Sequence, residues 1–179
     1  MTMRTAPVLE TARLRLRPFE PRDLDAHAAS LADPEIVRHL GGNPFTREES
    51  WRRMLCAPGL WTMLGYGYWA VERREDGVWL GQVGFADFKR DMVPSIEGVP
   101  EMGWIFARHA HGQGFASEAI AAALDWADGT LCAPEIAAII SPDNAPSIRA
   151  AEKAGFDGRV EARYRDEIVL LFRRHSAAG

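Results

Sequence analysis

The spacing of apolar residues shifts along the chain between a period of two and a period near four, and each shift marks an element boundary. Leu14 and Leu16 alternate with Arg13, Arg15 and Arg17, which predicts a first strand with one buried and one solvated face. Pro21 to Leu31 and Pro34 to Leu40 predict helices divided at Asp33-Pro34. Thr46-Arg-Glu-Glu49 is a capping box, and it predicts a helix running through Leu55 and stopping before Pro58. Tyr68 to Glu72 and Val78 to Phe88 predict strands joined through Glu75-Asp-Gly77, a hairpin signal. Asp91 to Pro100, with two prolines and Gly98, predicts a loop. Trp104 to Ala107 is an apolar run expected as a buried strand. Beyond a polar turn, Phe115, Ala119, Ala122, Ala123 and Trp126 recur at helical spacing up to about Gly129. Ile136 to Ile140 predicts a further strand. Asn144 caps a helix with Pro146 in its first turn, which Gly155 ends. Val160 to Tyr164 and Ile168 to Arg173 predict the last two strands, and Ser176 to Gly179 a loose tail.

One junction carries chemistry. Strand, glycine turn (Gly112, Gly114) and helix follow in that order, so several backbone N–H groups converge at the positive end of a helix dipole. That is an anion site suited to a phosphate or pyrophosphate, and the glycines let the phosphate approach the backbone. A dinucleotide fold would want a third glycine where Ser117 stands, and would place the motif early in a βαβ unit. No Gly-Lys-Ser/Thr follows, so a P-loop is excluded.

The stretch His111-Gly-Gln-Gly114-Phe-Ala116 resembles the acetyl-CoA loop of the GNAT acyltransferase superfamily, Gln/Arg-x-x-Gly-x-Gly/Ala, at every position but the first. Thr11-Ala-Arg-Leu-Arg-Leu-Arg-Pro18 resembles the opening strand of that family's ribosomal-protein N-acetyltransferase branch, and Glu101-Met-Gly-Trp104 its fourth strand. Ser141-Pro-Asp-Asn-Ala-Pro-Ser-Ile-Arg149, with Glu152-Lys-Ala-Gly-Phe156, resembles its fifth strand and following helix. The resemblance implies an α/β (α+β) fold: a mostly antiparallel mixed sheet, flanked by helices and splayed between the family's strands four and five. It implies an acetyl-CoA-dependent N-acetyltransferase that moves acetyl to a primary amine, a protein N-terminus or a small molecule, by direct attack on the thioester in a ternary complex. The alternative is a non-catalytic acyl-CoA-binding sensor.

Carried onto this chain, the resemblance lays the pantetheine arm against Trp104, Ile105 and Phe106. It seats the pyrophosphate on His111, Gly112, Gln113, Gly114, Phe115, Ala116 and Ser117. Asn144 matches a pantetheine contact, with helix capping as its other role. Ser147 matches a hydroxyl near the CoA sulfur, able to relay a proton or only to hydrogen-bond. The tyrosine that many GNAT enzymes use as acid is Ala151 here. Glu101 is the expected general base and Glu97 its alternative. His109 and His111 are expected in structural or phosphate-side roles, and Tyr164 is a reserve donor. Arg149 and Lys153 are expected on a solvated helix face. Acceptor specificity is expected in residues 21–58 and 159–166; Trp51, Trp61, Tyr66, Tyr68 and Trp69 are expected to line an acceptor groove or to belong to the core.

Composition sets limits. At 179 residues the chain is expected as one domain, 1–179, with a core of about 10–174. A net charge of -4 gives no reason to expect a nucleic-acid partner. Cys56 and Cys132 make neither a metal spacing nor a disulfide framework, so reduced thiols, no metal and a cytoplasmic setting are expected. No apolar stretch is of spanning length, so no membrane partner is expected. A homodimer stays open.

Overall fold

The computed structural model describes residues 4–176. Its elements are β1 (Leu9–Glu10), β2 (Leu14–Arg17), α1 (Leu24–Ala32), α2 (Pro34–Val37), α3 (Arg47–Leu64), β3 (Tyr68–Arg73), β4 (Trp79–Ala86) and β5 (Met92–Val93). There follow β6 (Glu101–Phe106), α4 (Phe115–Trp126), β7 (Glu135–Ile140), α5 (Ala145–Lys153), β8 (Asp157–Tyr164) and β9 (Glu167–His175). The strands form one sheet in the order β1-β2-β3-β4-β6-β7-β9-β8-β5. All neighbours run antiparallel except β6 and β7, which are parallel.

That parallel pair defines the architecture. Its register holds a single Cα partnership, Glu101 with Ala137, and Ala137 N–H donates to the Pro100 carbonyl at 2.9 Å. Beyond that point the strands diverge and the sheet splits. The other edge of β6 is fully paired with β4, from Ala86↔Glu101 to Gly81↔Phe106.

The face of β3, β4 and β6 that carries Trp69, Val83, Phe85 and Met102 is closed by α4. The apolar stripe of α4, Phe115, Ala119, Ile120, Ala123 and Leu124, is buried. Trp61, Trp69 and Trp126 meet edge to face at this core, with centroids 4.8 to 5.4 Å apart. Their polar handles are satisfied: Trp61 Nε1 donates to the Tyr68 carbonyl at 3.1 Å, and Trp69 Nε1 to that of Pro7 at 2.8 Å. Trp61 and Trp69 are therefore core, not groove.

Four expectations are corrected. The capping box forms as expected, but its helix runs to Leu64 with Pro58 inside, ending at Gly65 in the left-handed region (φ 80°). An interior proline costs about 3 kcal/mol. Burying Met54, Ala57 and Trp61 on one face offsets it, each large apolar side chain contributing about 1.5–3 kcal/mol. The segment Pro34 to Leu40 is helical only over Pro34–Val37, and Leu40 and Gly42 turn back onto the Val37 carbonyl. The expected loop Asp91 to Pro100 holds β5, which pairs with β8 at the sheet edge. The arginine alternation marks a solvated face at Arg13 and Arg15 but not at Arg17. Arg17 is buried, donating to Asp23 (2.8 Å) and Glu72 (2.7 Å), because the turn ahead of α1 covers that side. At the tail, Ser176 N–H reaches the Pro134 carbonyl, and the remainder lies outside the described residues.

Candidate active site

The glycine turn is held by its own neighbours. His111 Nε2 lies 2.8 Å from the Phe106 carbonyl, His109 Nε2 lies 3.2 Å from that of Trp79, and Gln113 Nε2 donates to that of His109 at 2.7 Å. Both histidines thus brace the turn, as expected. Gly112 and Gly114 sit at φ 72° and 79°, a region costly for residues with a Cβ. Gly114 supplies no side-chain cap to α4, and the first intrahelical acceptor, its carbonyl, serves Glu118. The N–H groups of Phe115, Ala116 and Ser117 are left without helical partners, at the positive end of a helix twelve residues long.

Arg13 adds a cation that the strand pattern concealed. Its guanidinium donates to the Gln113 carbonyl (2.9 Å) and to Glu118 (2.7 Å), and lies 4.5 Å above the Phe115 ring. Burial pushes the Glu118 carboxyl up, but bonds from Thr11 and Arg13 outweigh that and hold it below its ordinary value.

The edge of β6 facing the split is also unpaired. Ala107 N–H bonds the Leu80 carbonyl across β4, while the Pro100 carbonyl points the other way, to β7. Backbone groups alternate in direction along a strand, so the Met102 N–H closes the single bridge to Ala137, and the Met102 C=O and both backbone groups of Trp104 point into the gap beyond it. Trp104 and Ile105 are half-buried rather than buried as expected, because the gap leaves them uncovered, while Phe106 lies in the core. On the far side of the gap Asn144 accepts from Ser147 N–H at 3.2 Å, the expected cap. Ala151 is fully buried.

A cleft of about 1160 Å³ passes through this gap. Trp104, Ile105, Asn144 and Ser147 line it on the gap side, and residues of the segment after α2, of α3 and of the β8–β9 turn on the other. An unpaired strand edge, an uncapped helix behind a glycine turn and a through-going cleft match a thioester cofactor with a long amide-bearing arm.

The Acetyltransferase (GNAT) domain model matches residues 13–157. The chain belongs to the GNAT acetyltransferase family.

YkkB of Bacillus subtilis (strain 168) is 33% identical over 178 residues, covering 94% of this chain and 95% of that protein. The acetyltransferase from Agrobacterium tumefaciens str. C58 is 30% identical, with a TM-score of 0.81 and 96% of each chain covered. RimL, the ribosomal L7/L12 alpha-N-protein acetyltransferase solved with coenzyme A, shares the fold at a TM-score of 0.75 and 16% identity, over 97% of this chain and 100% of that one. This GNAT chain is an N-acetyltransferase. Its β6 and β7 are the family's strands four and five, β1 and β5 being additional short strands.

Among the expected catalytic groups, Glu101 lines the cleft, but both its oxygens are taken by Arg90, at 2.6 and 2.9 Å. Burial draws the Arg90 pKa down, and the bonds to Glu101 overcome this and raise it, so the guanidinium stays charged. Glu97 is exposed, faces Lys89 at 3.7 Å and is outside the cleft lining. Tyr164 lines the cleft beneath the Arg90 guanidinium, 4.8 Å from its ring centre. Arg149 and Lys153 are exposed on α5.

Of the aromatic group, Tyr68 alone lines this cleft, while Trp51 lines a separate shallow depression beside Arg47. The Tyr68 hydroxyl lies over Gly103, where an added Cβ would stand 2.5 Å from it. Burial, then the charge of Glu101, push its pKa upward, which keeps it a proton donor. His39, just past α2, was not singled out from the sequence. It lines the cleft, with Nδ1 3.2 Å from Asp143 Oδ1. No motif signals it, since its partner lies over a hundred residues away.

Proposed function

We propose that this enzyme acetylates a primary amine by direct attack on acetyl-CoA within the cleft, without a covalent enzyme intermediate. The observation that carries the reading is the split at β6 and β7, where the backbone edge of Trp104, past the single bridge, faces Asn144 and Ser147 across the gap. In this reading the pantetheine arm completes the open edge of β6 past Trp104 and Ile105. The pyrophosphate rests on the amides from Gly112 to Ser117, with Arg13 beside them. The N–H of Trp104 meets the oxygen that becomes negative as the amine adds to the thioester carbon. Holding both reactants makes the step effectively unimolecular, which alone removes about 7–11 kcal/mol of barrier in well-oriented systems. As the C–S bond breaks, the thiolate takes a proton, and the Ser147 hydroxyl at the start of α5 delivers it. Ala151, buried, has no group to offer.

The acceptor side is formed by the segment after α2, by α3 and by the β8–β9 turn. A protein N-terminal amine is favoured by the likeness to the ribosomal-protein branch, and a small-molecule amine is the competing acceptor. The reading includes a cytoplasmic setting. The test is a screen of amino acids, polyamines, aminoglycosides and N-terminal peptides with acetyl-CoA, following release of free thiol. Thiol release dependent on one acceptor class, with the acetylated amine recovered, supports the reading. Acetyl-CoA binding without transfer to any amine would refute it.

A further inference from the structure

Direct attack requires an amine without its proton, and an ammonium must first lose it. Glu101, the buried acidic residue at the mouth of β6, has both oxygens bound to the half-buried Arg90 guanidinium. Using it as a base means opening a two-pronged ion pair and leaving a half-buried cation without its partner. The cleft offers a better placed group.

The His39 ring lines the cleft at the point where the acceptor-side segment after α2 meets the turn that leads into α5. Its side chain is only 15% exposed, and Nδ1 is buried against Asp143, 3.2 Å from Oδ1. The contact is off the line of an ideal hydrogen bond, so it acts through charge more than through alignment. Nε2 is left as the nitrogen open to the cleft. Asp143 is itself held: Ser141 Oγ donates to it at 2.5 Å, and Arg38 stands 3.8 Å from its other oxygen. Its neighbour in sequence, Asn144, caps the helix that carries Ser147. One turn of chain therefore supports a histidine on the acceptor side and a serine on the cofactor side.

We infer that His39, positioned by Asp143, is the general base that takes the proton from the acceptor ammonium. The inference rests on the amine-acetylation reading above. In the step, the ammonium N–H bond breaks and its proton passes to His39 Nε2, giving an imidazolium balanced by the Asp143 carboxylate. The freed lone pair forms the C–N bond at the thioester carbon. On collapse the C–S bond breaks, the Ser147 hydroxyl gives its proton to the thiolate, and the second amine proton passes from nitrogen to the Ser147 oxygen, which restores the hydroxyl. His39 releases its proton to water. The charged groups drawn together around the ring are Asp143 on the α5 side and Arg38 on its own, with Glu35 3.6 Å from Arg38. The carboxylate favours the imidazolium, and Arg38 opposes it in part.

The experiment uses the full chain with an acceptor found by the screen, comparing wild type, His39→Gln, His39→Ala, Asp143→Asn and Glu101→Gln. The wild type should show an acid limb of kcat/KM in the imidazole range. His39→Gln should lose that limb and fall about a hundredfold at neutral pH, the low end for proton transfer by a side chain. Its acetyl-CoA affinity by calorimetry and its melting midpoint should be unchanged. Added imidazole should restore activity to His39→Ala but not to His39→Gln, which a merely structural histidine would not show. Asp143→Asn should lower kcat/KM less than His39→Gln does, since the imidazolium formed in the step loses its counter-charge. Glu101→Gln should keep the limb in place. If His39→Gln retains the wild-type profile, or Glu101→Gln abolishes the limb, the assignment is overturned while acetylation stands. Failure of the wild type to acetylate any amine would overturn the underlying reading, and His39 with it.

Discussion

His27 makes the stability of this protein depend on pH through a single buried group. It sits on α1 with 3% exposure, wedged edge-on between Phe19 (5.7 Å) and Trp79 (5.9 Å), and its Nε2 has no hydrogen-bond partner among the described residues. Burial, then the positive charge of Arg53, lower its pKa from 6.5 to about 4, with Asp23 opposing in part. The unfolded chain therefore binds a proton below pH 6.5, whereas the folded one resists until about pH 4. Unfolding takes up a proton in that window, so stability is full above it and falls as pH drops through it. At about 1.4 kcal/mol per pH unit the loss is about 2 kcal/mol at pH 5 and about 3 kcal/mol below pH 4. For a chain of this length that is roughly a 4–8 °C drop in Tm at pH 5. Carboxylates held low in the folded state, such as Asp76 near 2, add their own loss only below about pH 4.5. Urea melts from pH 7.5 to 5 therefore isolate the histidine. His27→Phe keeps the edge-to-face contacts and removes the titration, so its stability should be nearly flat where wild type slopes. Parallel slopes in the two proteins would refute the reasoning. The same window overlaps the acid limb expected for His39, so rates below pH 6 must be taken at temperatures where the wild type remains folded.

Three further outcomes are expected. Gly114→Asp should abolish acetyl-CoA binding in calorimetry while the chain stays folded, because a carboxylate at φ 79° would stand where the pyrophosphate must rest; unchanged affinity would remove the loop from the cofactor site. Ser147→Ala should lower kcat and kcat/KM together by about a hundredfold if its hydroxyl protonates the thiolate; a fall in Tm with intact kinetics would leave it as a helix residue only. Arg17→Met should destabilise by about 3–5 kcal/mol in denaturant melts, because Asp23 and Glu72 would remain buried without their cation. In the Arg17 case, Arg15 and Arg22 also reach Glu72 (3.2 and 3.5 Å), and a loss under about 1 kcal/mol would show that they suffice.

The cofactor side was legible in the sequence because phosphate binding there uses backbone, and backbone geometry leaves local marks. Two glycines at positive φ, a strand before them and an amphipathic helix after them are all encoded within twenty residues. Asn144 as a cap is local in the same sense. The far side of the cleft draws on pairs remote in sequence, His39 with Asp143 and Tyr68 over Gly103, and the buried pair Arg17 with Glu72 is remote in the same way, so no spacing rule reaches them. Tyr68 reaches β6 only because Gly84, between them on β4, leaves a lane that a side chain would fill. Arg17 misled for a related reason: alternation tells which residues share a face, and packing of the α1 region decides that this face is dry. Pro58 misled because local propensity was outweighed by burial along α3.

The split between β6 and β7 joins these two halves. Leaving the strand edge at Trp104 unpaired forgoes hydrogen bonds that a closed sheet would make, at about 1 kcal/mol each. A fold bears such a loss where something else fills the edge. In the proposed reading the glycine turn takes the anionic end of the cofactor, and the open edge sets the line of the arm toward Ser147. The thioester of that reading emerges where β6 and β7 begin to part, between Met102 and the turn that holds Asp143. His39 stands at that turn from the opposite side. The geometry that leaves the sheet incomplete is therefore also what brings donor, acceptor and proton-transfer groups to a common point.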